Sequence, residues 1–64
     1  MKWNEIKVED SDLNIYIKNI LKYEKIRTMG GVERALLRGH LDKVAGLGVY
    51  RKQDIINYLI KIKH

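Results

Sequence analysis

The chain has 64 residues, a formal net charge of +5, and neither cysteine nor proline. A chain this short makes one domain and buries only about 60% of its unfolded surface, so there is no room for a second core, and disulfide staples and thiolate metal sites are excluded. No apolar run approaches the ~20 residues of a membrane span, and Met1-Lys2-Trp3 leads into no signal-peptide core, so the expectation is a soluble, cytoplasmic protein without membrane partners.

The charge is unevenly placed. Residues 1–26 carry five basic and five acidic side chains. Residues 27–64 carry Arg27, Arg34, Arg38, Lys43, Arg51, Lys52, Lys61 and Lys63 against Glu33, Asp42 and Asp54, which is the whole excess. A basic half of this kind suits a polyanion.

Residues 1–12 alternate weakly at Ile6 and Val8 and read as an extended N-terminal arm, with Trp3 anchoring it on the helices; residues 13–64 form the domain proper. Leu13, Tyr16, Ile17, Ile20 and Leu21 follow the i, i+3, i+4, i+7, i+8 spacing of one buried helix face. That spacing gives Tyr16 a packing role. Ser11, Asp12 and Asn14 are all competent caps for this helix, and its pattern ends at Tyr23-Glu24-Lys25, after which Ile26 turns into the core.

Thr28 caps a second expected helix from Met29 to Arg38, with Val32, Ala35 and Leu36 inward and Leu37 at the edge. Gly30 and Gly31 in its first turn imply a close neighbour, and Gly39 supplies a left-handed stop. His40 to Val44 reads as about one turn with Leu41 and Val44 inward. Val49 to Lys63 forms the last helix, its inner face drawn from Lys52, Ile55, Ile56, Leu59, Ile60 and Ile62, with Asp54 near its start and Lys61 and Lys63 near its end suiting the helix dipole. The fold class predicted is all-α, a compact bundle of four to five short helices. Between the third element and the last helix lies Val44-Ala45-Gly46-Leu47-Gly48, whose glycines permit a tight turn and whose position before a helix start makes a site for an anion.

Three segments then come in a fixed order: Asp12-Leu13-Asn14 followed by Asn19, Leu21 and Lys22; Ile26-Arg27-Thr28-Met29-Gly30-Gly31-Val32; and Leu41-Asp42-Lys43-Val44-Ala45-Gly46-Leu47-Gly48 with Asp54-Ile55 and Leu59 behind it. Over most of the chain this order resembles the C-terminal domain of the bacterial RNA polymerase alpha subunit. The resemblance implies a helix-hairpin-helix within the bundle, binding to the minor groove of A·T-rich DNA, and contacts with RNA polymerase or a transcription factor. Asn19 matches a DNA-contacting Asn of that family and Gly48 its hairpin glycine. The family's minor-groove Arg falls on Tyr16, its Lys-Ser pair becomes Tyr50-Arg51, and there is about one extra residue before the hairpin.

The candidate DNA-binding residues are Gly46 and Gly48 as backbone donors, Asn19, Tyr50, Arg51 and Lys52 as side-chain donors, and Lys43 and Arg38 as flanking charges. Asp42 and Asp54 lack a partnered His or Lys constellation, and His40 and His64 stand far apart, so neither catalysis, a metal nor a cofactor is expected. The expected function is a non-enzymatic module for double-stranded DNA with weak sequence selectivity. The alternative is a protein-interaction module binding polymerase, an activator or itself through Trp3, Ile15 and the helix surfaces. Exposure of both Ile15 and Trp3 favours the alternative; burial of both, with basic side chains converging on the hairpin, favours DNA.

Overall fold

Of the three competent caps, Asn14 starts the first helix, accepting the Tyr16 amide on its side-chain oxygen at 2.7 Å. Ser11 is buried one turn earlier, where its hydroxyl donates to the Val8 carbonyl at 2.6 Å and accepts from the Leu13 amide at 3.4 Å. In this computed structural model, which describes residues 2–64, α1 runs Ile15–Tyr23, α2 Met29–Leu37 and α3 Gly48–Lys63. Three short 3₁₀ turns, Trp3–Glu5, Val8–Asp10 and His40–Lys43, complete the helical fold. The expected four to five helices therefore resolve into three α-helices and three 3₁₀ turns, with no strand among the described residues.

Helix ends follow local chemistry. Thr28 accepts the Gly31 amide at 3.2 Å to cap α2, and Gly39, at a φ of 75°, stops it. At the end of α1 the Ile26 amide reaches the Leu21 carbonyl at 2.9 Å and the Lys25 amide reaches Lys22 at 2.9 Å. These are the paired bonds of a Schellman stop, and they hold Lys25 in the left-handed region at a φ of 61°.

The arm differs from expectation: it is folded rather than extended. Lys7 and Thr28 form an isolated antiparallel bridge, in which the Val8 amide donates to the Arg27 carbonyl and the Met29 amide to Ile6, both at 2.8 Å. This clamp places Val8 wholly inside the core, which it shares with Leu13, Ile17, Leu21, Met29, Val32, Ala35, Leu41, Leu47, Ile55 and Leu59. It also explains Gly30, where an added Cβ would stand 3.0 Å from both the Cβ and the carbonyl oxygen of Asn4. The radius of gyration, 10.4 Å, matches the roughly 10.7 Å expected of a well-packed chain of this length.

Two expected core positions face solvent. Ile60 is 54% exposed because it lies roughly 140° around α3 from Ile55, off the stripe formed by Ile55, Ile56, Leu59 and Ile62. Half-buried Tyr58 flanks that stripe instead. Tyr16 is 51% exposed: Ile17 and Leu21, four residues apart, define the inner line of α1, and Tyr16 sits about 100° away from Ile17.

Candidate nucleic-acid interface

The hairpin is built on one inward residue between two glycines. Leu47 is buried in the core, and its amide bonds weakly back to the Val44 carbonyl at 3.4 Å. On either side Gly46 and Gly48 take φ values of 84° and 72°. A Cβ at either position would meet nothing within 4 Å, so the requirement for glycine is conformational and the surface before it is open. The helix α3 starts at Gly48 with no side-chain cap at Leu47 and no acidic residue in its first turn. Its leading amides thus have no intrahelical or side-chain partner and carry the positive end of the helix dipole.

Arg51, on the first turn of α3, ties this region together. One guanidinium nitrogen, Nη1, donates to the Gly46 carbonyl at 2.8 Å, and the Cζ carbon lies 4.1 Å from the centroid of the Tyr16 ring. The starts of α1 and α3 are therefore joined across the hairpin. Beside them Tyr16, Asn19, Ile20, Tyr23 and Glu24 of the α1 side face Val44 and Ala45 across a groove of about 300 Å³.

Of the residues expected from sequence, Asn19 lines this groove and Arg51 joins its Tyr16 edge to Gly46, whereas Gly48 lines a separate groove of about 190 Å³ together with Leu41, Asp42, Val49 and Lys52. Tyr50, on the first turn of α3, is 89% exposed. Lys52 is half-buried and paired with Asp42. Arg38 and Lys43 line a separate groove of about 490 Å³ together with Arg34 and His40. The grooves of about 300 and 490 Å³ adjoin: Glu24 lines the first, and its Oε1 is 3.1 Å from Nε2 of His40, which lines the second.

Sequence reasoning missed Tyr16 as a site residue and missed Arg34. The Arg34–Arg38 spacing was a readable signal, since residues four apart share a helix face. The Tyr16–Arg51 contact joins distant segments and had no local signal. The exposure test also splits: Ile15 is 67% exposed, whereas Trp3 is half-buried, with the Lys63 ammonium 5.1 Å from its ring centroid.

Among the described residues no group of three or more His, Cys, Asp or Glu side chains comes together, and no helix is long and apolar enough to cross a membrane. Compared with protein families, curated proteins and solved structures, the chain has no significant match.

Proposed function

We propose that the protein is a non-enzymatic module for double-stranded DNA that grips the phosphate backbone through the Gly46-Leu47-Gly48 turn of a helix-hairpin-helix. The observation that carries this reading is the open face of Gly46 and Gly48, both at positive φ, at the uncapped start of α3. A phosphate oxygen there would accept from the leading amides of α3, with Arg51 supplying charge and Asn19 a side-chain donor across the groove.

The finer reading is a relative of the RNA polymerase alpha C-terminal domain, with a role in transcription. Where that family resembles this chain but carries a first-helix Arg, Tyr16 stands here, and the Arg51 guanidinium rests over its ring. The cation is thus returned to that place from α3. Because Arg51 is held against the Gly46 carbonyl, it reads charge and shape better than base edges, and sequence selectivity is weak.

A second reading, a protein-interaction module, is favoured by the exposed apolar residues Ile15, Val49 and Tyr50 at the starts of α1 and α3. Fluorescence anisotropy with a labelled duplex over a salt series separates the two. DNA binding through two to three phosphates gives a log–log salt slope of about −2 to −3. Absence of saturable binding at low salt would overturn the DNA reading and leave the second.

A further inference from the structure

The groove lined by Arg34, Arg38, His40 and Lys43 is built as a face of its own. Gly31, Arg34 and Ala35 of α2 and Arg38 at its C-terminal cap follow the i, i+3, i+4, i+7 spacing and so share one face, which lines the groove. Gly39, at a φ of 75°, then folds the chain back into the 3₁₀ turn His40–Lys43. Side chains three apart eclipse in a 3₁₀ helix, which brings His40 and Lys43 to the same side, where both line the groove.

The cations of this groove are uncommitted. Arg34, Arg38 and Lys43 are all exposed, and none has a carboxylate within ion-pair distance among the described residues. The carboxylates that adjoin them in sequence are taken elsewhere, Glu33 by Lys63 and Asp42 by Lys52, while Glu24 holds His40. At the hairpin Lys52 is paired with Asp42, and Arg51 keeps its charge but is positioned by the Gly46 carbonyl and the Tyr16 ring. Three cations without a carboxylate partner thus lie in the α2 groove, against Arg51 alone at the hairpin.

We infer that this groove is a second phosphate-binding surface, and that one DNA backbone lies across it and the hairpin together. The inference rests on the DNA reading given above. Continuity supports it: Lys43 lines the α2 groove, the next two residues, Val44 and Ala45, line the hairpin groove, and the Glu24–His40 pair forms the shared wall. Two exposed guanidinium groups on one helix face suit phosphate oxygens, which they bind bidentately. The hairpin amides then set where the backbone sits, and the α2 groove supplies most of the salt-dependent attraction.

The test is the same anisotropy titration over a salt series, made on the wild type, the pair Arg34→Gln/Arg38→Gln, the charge-keeping pair Arg34→Lys/Arg38→Lys, and Arg51→Gln. Far-UV circular dichroism confirms that each variant is folded. The glutamine pair is expected to make the salt slope shallower by about 1 to 2, the lysine pair to keep the wild-type slope, and Arg51→Gln to weaken binding through a separate increment. If the glutamine pair binds with the wild-type slope while Arg51→Gln is impaired, the inference is overturned and the hairpin reading stands. If the lysine pair fails as the glutamine pair does, charge on phosphate is not what the arginines supply, and the inference falls. If the wild type itself does not bind the duplex at low salt, the functional reading falls and takes this inference with it.

Discussion

Arg51 covers the ring of Tyr16 at 4.1 Å while donating to the Gly46 carbonyl at 2.8 Å, so a single side chain links the first turn of α1, the hairpin and the first turn of α3. An exposed cation–π contact contributes about 0.5–1 kcal/mol. A double-mutant cycle of Tyr16→Ala and Arg51→Ala is expected to give a coupling of about that size in urea unfolding. Additive effects of the two changes would mean that the stack does not hold the helix starts together.

The adjacent glycines of α2 respond in opposite directions. Alanine normally gains about 1 kcal/mol over glycine within a helix. At Gly30 the new Cβ meets Asn4 at 3.0 Å, with the arm held in place by the Lys7–Thr28 bridge, so Gly30→Ala destabilises by about 1–2 kcal/mol. At Gly31 the nearest atom is Ile26 Cγ2 at 3.4 Å, an ordinary contact, so Gly31→Ala is neutral or stabilising by up to about 1 kcal/mol. Equal destabilisation of both variants in chemical denaturation would refute the arm's placement against Gly30.

Lys25 is a side chain where the backbone asks for none. Its left-handed conformation closes α1, and glycine takes that conformation without strain. Lys25→Gly is expected to raise stability by about 0.5–1 kcal/mol, after allowing for the greater freedom glycine gives the unfolded chain, whereas Lys25→Ala keeps the strain and gains nothing. Thermal unfolding of the two variants side by side decides this.

Val8 makes the arm part of the core. Truncation to alanine removes apolar contacts from a site that is 1% exposed, at a cost of about 2 kcal/mol. For a domain of this size that lowers Tm by roughly 10 °C. A shift of only a degree or two would restore the arm to the loose status its sequence suggests.

The helix signals that proved readable are local ones. Thr28 and Gly39 bound α2 as expected, because a cap needs only its own hydroxyl within reach of an amide three residues on, and a left-handed stop needs only a missing Cβ. Ile17, Leu21, Val32, Ala35, Leu41, Ile55 and Leu59 are inward for a similar reason: one helical period places them there. Tyr16 and Ile60 escaped because periodicity marks a stripe but not its edges, and what covers an edge is decided by another segment.

By itself the sequence determined the helical class, the Thr28 cap and Gly39 stop of α2, the glycine hairpin before α3 and the gathering of positive charge in the second half, all properties of composition and short-range spacing. The tertiary structure alone decided that the arm packs as core, that Arg51 lies over Tyr16 and against the Gly46 carbonyl, and that Arg38 and Lys43 join Arg34 in a separate groove. Each of these depends on which distant segments meet. That meeting is set by the Lys7–Thr28 bridge and the shared burial of Val8, Met29, Leu47 and Ile55, which no single helical period contains.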